Sequence, residues 1–269
     1  MQDFIFDFSG SEVMIYAIVF AFGLVIGSFL NVCIYRMPRE LSIVRPASRC
    51  PSCGKGLKPW DNIPVLSFIL LAGRCRYCGE RISFRYPVVE FLNGLCYVLV
   101  LWRFGPGLSS LVFMIYFSTL IVITFIDLDF QIIPDVITLP GAVIALVLGI
   151  FLVSDPFDRG TNLGMVQSIT GFFLGGGLFY AVAVLSRGGM GGGDIKMMAM
   201  VGALTGWKGV LLTTFLGSLA GSVIGIGLML FKGKGRKTRI PFGPFLALGS
   251  AISVLWGQEL LKLYLRGYS

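Results

Sequence analysis

The fold is decided by residues 104–126, which read FGPGLSSLVFMIYFSTLIVITFI and carry no charge. A helix of about 20 apolar residues crosses the roughly 30 Å hydrocarbon core of a bilayer, so this run predicts a transmembrane helix. The chain has 55% hydrophobic and 13% charged residues, whereas an average soluble domain has about 25% charged residues. Five further uncharged runs meet or nearly meet the spanning length: 13–35, 136–154, 160–186, 209–231 and 240–258. The sequence therefore predicts an all-α, polytopic integral membrane protein.

Two shorter apolar runs, 87–102 and 195–207, leave the number of spans open, because each contains one charged residue, Glu90 and Lys196 respectively. Eight spans follow if both runs cross the membrane, and six follow if neither does. In both cases the loops after residues 126 and 186 lie on the same side. Leaving 88–102 in water would expose a long apolar surface, which favours eight spans.

The positive charge is concentrated in two loops. Ten of the 22 lysines and arginines fall between Arg36 and Arg85, and five more fall between Lys232 and Arg239. Basic loops beside spans stay in the cytoplasm, so both segments are predicted to be cytoplasmic and to contact lipid headgroups. Topology explains the net charge of +8, and no nucleic-acid partner is predicted. The segment before residue 13 is acidic and lacks the basic start of a signal peptide, so the first run is expected to remain in the mature protein.

Residues 36–86 form a polar insert that is long enough for a small extramembrane module. The insert contains two C-x-x-C pairs, separated by 21 residues and each followed by glycine: Cys50, Cys53, Cys75 and Cys78. Both sulfurs of such a pair can reach one Zn²⁺ at about 2.3 Å, and two pairs complete a closed S4 site. Two disulfides are the alternative, but they are disfavoured in a reducing cytoplasm. The pattern therefore predicts a structural Zn²⁺ in a zinc-knuckle insert.

Two carboxylates follow predicted spans. Asp127 comes directly after residues 104–126, and Asp194 follows the glycine-rich segment 188–193. The chain has no histidine, which excludes His-dependent triads and the usual base near neutral pH. Two facing aspartates can share one proton, so that one activates water while the other polarises a carbonyl. Asp129 and Asp135 can equally be solvated loop residues or helix caps, and spacing alone does not decide between these interpretations.

Eight motifs follow one another along residues 20–250: 27–36, 48–53, 61–65, 73–78, 82–87 with Glu90, 127–135, 191–196 and 241–244. In this order they resemble the bacterial type IV prepilin peptidases. The resemblance implies a multi-pass enzyme of the bacterial inner membrane with eight spans and its aspartates on the cytoplasmic side. Such enzymes cleave the leader of type IV prepilins and type II secretion pseudopilins. They then N-methylate the new amino-terminal residue with S-adenosylmethionine.

The resemblance also implies roles for individual residues. The peptidases of this family are aspartyl proteases of the GxGD type, which implies Asp127 and Asp194 as the catalytic pair. The same motifs imply supporting roles for Gly191, Gly193, Asp129 and Lys196. The Pro241–Pro244 motif would break a helix and is expected to line the active site.

The family divides into two regions, which implies a methyltransferase-associated region at 1–103, with the zinc module at about 36–86, and a membrane aspartyl peptidase domain at 104–269. Glu90 is the one carboxylate inside an early span, so it is a candidate to bind the new amino group. An ion pair with Arg81 or Arg85 is the alternative. Three competing interpretations are a peptidase-only relative, a transporter with intramembrane carboxylates and a membrane-anchored zinc scaffold. The transporter predicts charges deep within spans and an internal repeat, and neither is visible.

Overall fold

The computed structural model describes residues 10–187, 189–232 and 241–266, and these residues are mainly helical. The helices are α1 (Gly10–Arg36), α2 (Leu66–Leu70), α3 (Arg85–Phe104), α4 (Leu108–Phe130), α5 (Asp135–Phe151), α6 (Gly164–Leu185), α7 (Gly192–Lys232) and α8 (Gly243–Arg266). Two short 3₁₀ helices lie at Met37–Arg39 and Pro59–Asn62. Strands β1 (Ser154–Asp155) and β2 (Asp158–Asn162) pair antiparallel. The basic segment 233–239 lies outside the described residues.

Six helices in the described ranges are long and apolar enough to cross a membrane: α1, α3, α4, α6, α7 and α8. The shorter α5 has 17 residues. Helix α7 is interrupted at Gly206, whose φ of 68° and ψ of −178° are not helical, so it consists of two helical segments. The predicted all-α polytopic membrane fold is confirmed.

The helix boundaries differ from the predicted runs at the sites that matter most. Helix α4 continues past residue 126 to Phe130, so Asp127 lies within the last helical turns and not in the following loop. The ambiguous run 87–102 belongs to the 20-residue helix α3. The other ambiguous run, 195–207, lies at the start of α7 and ends at the Gly206 break. A single charged residue did not prevent either run from being helical.

The chain forms two compact units that divide between Pro106 and Gly107. In the first unit, α1 and α3 approach closely at glycines. A Cβ atom on Gly23 would lie 2.7 Å from the Cα of Gly94, and one on Gly27 would lie 2.6 Å from the Cα of Glu90. The side-chain amide of Asn93 donates to the carbonyl of Gly23 at 2.7 Å. Small residues allow such backbone contact between membrane helices, and here they bring Glu90 against α1.

In the second unit, α7 packs against α5, α6 and α8, and α8 also contacts α4. Glycines again permit the closest approaches. Cβ atoms on Gly171 and Gly175 would collide with the carbonyl oxygens of Gly202 and Met198 across the α6–α7 interface. Buried large side chains from α4 and α7, among them Phe113, Ile123 and Met197, fill the core of this unit. This packing fixes the start of α7 relative to its neighbours.

Candidate functional site

Asp127 lies near the carboxyl end of α4 and is only 6% exposed. The backbone N–H of Gly243, the first residue of α8, donates to the Asp127 Oδ2 atom at 3.0 Å. The amino-terminal end of a helix carries a partial positive charge, which favours a carboxylate there. A buried carboxylate without a donor would be costly, so the start of α8 stabilises this side chain.

Asp194 lies in the first turn of α7 and is partly buried. Its backbone N–H donates to the carbonyl of Gly191 at 3.2 Å, which closes the tight turn before the helix. A Cβ atom on Gly191 would lie 3.3 Å from the Asp194 Oδ2 atom. The glycine at position 191 therefore leaves space beside the carboxylate.

Glycines beside the two aspartates meet at Ile133, in the segment between α4 and α5. A Cβ atom on Gly193 would lie 2.6 Å from the Cβ of Ile133, and one on Gly243 would lie 3.3 Å from its Cδ1. The starts of α7 and α8 therefore meet at the same isoleucine. The Asp127 and Asp194 carboxyl groups are close enough for their charges to interact. Residues far apart in sequence thus form one acidic site at the ends of three helices.

The other predicted support residues lie beside this site. The Lys196 Nζ atom forms an ion pair with the Asp135 Oδ1 atom at 2.6 Å, which joins the start of α7 to the first turn of α5. Asp129 is exposed near the end of α4. Asp135 starts α5 after Pro134, although its side chain makes no capping hydrogen bond. Sequence reasoning missed the Lys196–Asp135 pair and the contact between Gly243 and Asp127. The 241–244 motif, which was expected to line the active site, was the one sequence signal for the contact between Gly243 and Asp127.

The four cysteines of the insert form a cluster in which all four Sγ atoms lie within 4.8 Å of one another. Both pairs fold in the same way. The N–H of the first cysteine in each pair donates to a carbonyl five residues later, from Cys50 to Lys55 at 2.9 Å and from Cys75 to Glu80 at 2.8 Å. The glycine after each pair, Gly54 or Gly79, has a positive φ of about 70°, which favours glycine.

The cluster fits a tetrahedral metal ion. Four sulfurs at about 2.3 Å from a central Zn²⁺ lie about 3.8 Å apart, and the Cys50 and Cys78 sulfurs are 3.9 Å apart. All six cysteines of the chain are free thiols, so the disulfide alternative is not formed.

The second knuckle is tied to the neighbouring 3₁₀ helix through Asp61. The Asp61 side chain is 2% exposed and accepts a hydrogen bond from the Arg76 Nε atom at 2.6 Å. The Tyr77 hydroxyl donates to its other oxygen at 3.4 Å. Arg76 and Tyr77 lie between Cys75 and Cys78, so this contact connects the cysteine cluster to residues 59–62.

Glu90 lies in the second turn of α3 and is 7% exposed. Its Oε2 atom accepts the backbone N–H of Val65 at 2.7 Å, and the Ser28 side chain also hydrogen-bonds the carboxylate. Val65 has a φ of 59°, which is unfavourable for a β-branched residue. The sequence placed Glu90 inside a span, but it gave no indication of these two partners.

Comparison with known proteins gives consistent matches along the chain. The profile described as Bacterial Peptidase A24 N-terminal domain matches residues 21–104, and the one described as Type IV leader peptidase family matches residues 114–226. Proteins named Prepilin leader peptidase/N-methyltransferase from Pseudomonas putida and Aeromonas hydrophila are 36% and 35% identical to the chain. The alignments cover 88% of the chain and 89% of the first relative, and 94% of the chain and of the second.

A protein of the same name from Bacillus subtilis (strain 168) is 34% identical over 93% of the chain and 98% of the relative. No solved structure gives a significant match. These three alignments each cover at least 88% of the chain. The chain therefore belongs to the type IV leader peptidase family.

Proposed function

We propose that this protein is an integral membrane enzyme that cleaves the leader of type IV prepilins and N-methylates the new amino terminus. The names of the relatives, which combine both activities, support this function. The charge interaction between the Asp127 and Asp194 carboxyl groups, where the starts of α7 and α8 meet at Ile133, is the single observation that carries the proteolytic half. Without histidine in the chain, a pair of carboxylates supplies both the acid and the base.

Cleavage uses the two carboxyl groups in opposite protonation states. The ionised one takes a proton from water as the water oxygen attacks the scissile carbonyl carbon. The protonated one donates to the carbonyl oxygen, which becomes the hydroxyl of a tetrahedral intermediate. Proton transfer to the amide nitrogen then breaks the C–N bond and releases the leader. The glycines at 191 and 193 let an extended substrate backbone approach the pair closely.

The substrate class follows from where the pair lies. Asp127 and Asp194 are at helix ends, so a peptide bond just outside the membrane can reach them while the apolar helix of a prepilin stays in the bilayer. The family resemblance also implies type II secretion pseudopilins as substrates. We propose that they are cleaved in the same way, with their apolar helix in the bilayer. The basic residues between Arg36 and Arg85 favour a cytoplasmic location for the insert. We place the acidic site on that side of a bacterial inner membrane.

The isosteric variants Asp127→Asn and Asp194→Asn test the peptidase. Each removes one ionisable group and keeps the side-chain volume, so leader cleavage in proteoliposomes should fall to background. Asp158→Asn is the matched control, because Asp158 is an exposed aspartate on β2, and it should cleave like the wild type. All three should insert into the membrane at wild-type levels. Cleavage retained by either of the first two variants would exclude the dyad.

The amino-terminal region, 1–103, carries the methyl transfer in this proposal, and 104–269 carries the peptidase. Cys50, Cys53, Cys75 and Cys78 hold a Zn²⁺ whose four thiolates leave no position for a reactant, so the ion is structural. S-adenosylmethionine supplies the methyl group. Glu90 binds the new amino group, since it is a buried carboxylate held by Val65 and Ser28. Glu90→Gln should lower methylation of a pre-cleaved pilin and leave leader cleavage unchanged.

A further inference from the structure

A cavity of about 470 Å³ opens in the first unit between α1 and the two loops of the insert. Its helical wall consists of residues spaced along one face of α1: Val25, Ser28, Phe29, Val32 and Arg36. The facing wall is formed by side chains from two segments of the insert, 43–48 and 59–64: Ile43, Val44, Pro46, Ala47, Ser48, Pro59, Asn62, Ile63 and Pro64. Cavities of about 300–1,000 Å³ with mainly apolar walls and few polar groups are the size that binds small molecules.

Two polar side chains of α1, Ser28 and the positively charged Arg36, line the cavity at separate places. Ser28 lines the cavity and hydrogen-bonds the buried Glu90 carboxylate. Arg36 lines it two helical turns further on, about 12 Å along the axis. The Arg36 guanidinium donates to the carbonyls of Ser42 at 2.9 Å and Pro46 at 2.7 Å, which fixes its position. A ligand with a cationic centre and a carboxylate would match this arrangement.

We infer that this cavity binds S-adenosylmethionine, with the sulfonium end towards Ser28 and Glu90 and the amino-acid carboxylate towards Arg36. The inference rests on the methyltransferase activity proposed above and gives that activity a location. A donor bound there would have its methyl group at the Ser28 end of the cavity, next to the Glu90 carboxylate that Ser28 contacts. Glu90 takes a proton from the incoming ammonium group. The free amine nitrogen then bonds the methyl carbon as the carbon–sulfur bond breaks, which leaves a neutral thioether and a methylated ammonium.

The wall formed by residues 59–64 is fixed to the cysteine cluster. Asp61, in the middle of this segment, is held by Arg76 and Tyr77 of the second knuckle. Pro59 and Pro64 further restrict the segment. A pre-formed wall lowers the entropy cost of binding, so the cysteine cluster acts on the cavity as a positioning element through Asp61.

The test measures binding of S-adenosylhomocysteine to purified full-length enzyme by calorimetry, beside leader cleavage and methylation of a pre-cleaved pilin peptide. Ala47→Trp adds bulk to a cavity-lining residue, and Leu70→Trp adds an indole at a 74% exposed residue that does not line it. Filling the site should weaken S-adenosylhomocysteine binding at least about tenfold and suppress methylation, while cleavage stays at the wild-type level. Leu70→Trp should leave all three measurements unchanged. Equal binding by Ala47→Trp and wild type would overturn the inference.

Asp61→Asn provides a second measurement that does not fill the site. The substitution weakens the contacts that hold residues 59–64 in place, so binding must order this segment. The KM for S-adenosylmethionine should therefore rise several-fold, with little change in kcat, zinc content or cleavage. An equal loss of every activity would show only a folding role and would contradict the inference. Displacement of S-adenosylhomocysteine by the pilin peptide alone would overturn it too, because the cavity would then hold the acceptor. If wild type methylates nothing and binds no S-adenosylhomocysteine, the proposed methyltransferase function itself fails.

Discussion

Gly243→Ala is the most informative substitution for the acidic site. An added Cβ atom would lie 2.7 Å from the Asp127 Oδ2 atom, about 0.7 Å short of the 3.4 Å at which ordinary van der Waals contact begins. The backbone N–H that holds Asp127 is kept, so the effect is steric: either the carboxylate turns or the start of α8 moves. A displacement of about 1 Å in an active site can cost about 100-fold in rate. We therefore expect kcat/KM for leader cleavage to fall about 10- to 100-fold.

Gly192→Ala is the matched control. Gly192 and Gly243 are the first residues of α7 and α8, so the intrinsic effect of alanine on the helix start is similar. A Cβ atom on Gly192 meets nothing within 4 Å, and surface changes of this kind stay within about twofold. Both variants should methylate a pre-cleaved pilin peptide normally. Cleavage by Gly243→Ala within about twofold of wild type would refute the described contact, and an equal loss in Gly192→Ala would point to the helix start instead.

Three further results are expected. Cys53→Ser should lower the zinc content from about one ion per chain to none, measured by elemental mass spectrometry, because the S4 site loses a ligand; unchanged zinc would place the metal elsewhere. Lys196→Gln and Asp135→Asn, alone and together, should give a coupling free energy of about 0.2–1 kcal/mol in unfolding, since both side chains are substantially exposed, and a larger value would indicate a buried role. Gly193→Ala should reduce cleavage because its Cβ would lie 2.6 Å from that of Ile133, and adding Ile133→Ala should restore part of the activity. Failure of this rescue would exclude Ile133 as the source of the effect.

Hydropathy predicted the membrane helices because the bilayer imposes one length on every span. It could not settle the runs around Glu90 and Lys196, since the cost of a charge depends on its partners. Glu90 is satisfied by a backbone amide and Ser28. Lys196 lies in the first turn of α7 and pairs with Asp135. In both cases the partner comes from a distant part of the chain. A hydropathy average over a short stretch of sequence therefore cannot include it.

The cysteine cluster was easier to predict than the acidic site, because each C-x-x-C pair is a local structure. The knuckle hydrogen bonds span only a few residues, as from Cys50 to Lys55, and the glycine after each pair permits the turn. Asp127 and Gly243, by contrast, are 116 residues apart. The donor is a main-chain amide, which has no side-chain signature in the sequence. The family resemblance implied the two aspartates as a catalytic pair, but only the fold shows what holds Asp127 in place.

The type of partner separates five carboxylates of the described residues into two groups. Asp61, Asp135 and Glu259 each form an ion pair with an arginine or a lysine. Asp127 and Glu90 instead accept main-chain N–H groups. A main-chain N–H donor orients a carboxylate without neutralising its charge. A carboxylate can accept about four hydrogen bonds, and one N–H uses only one of these positions. Asp127 and Glu90 therefore keep the acceptor capacity that proton transfer and amine binding require, whereas the ion-paired carboxylates use theirs to join segments of the fold.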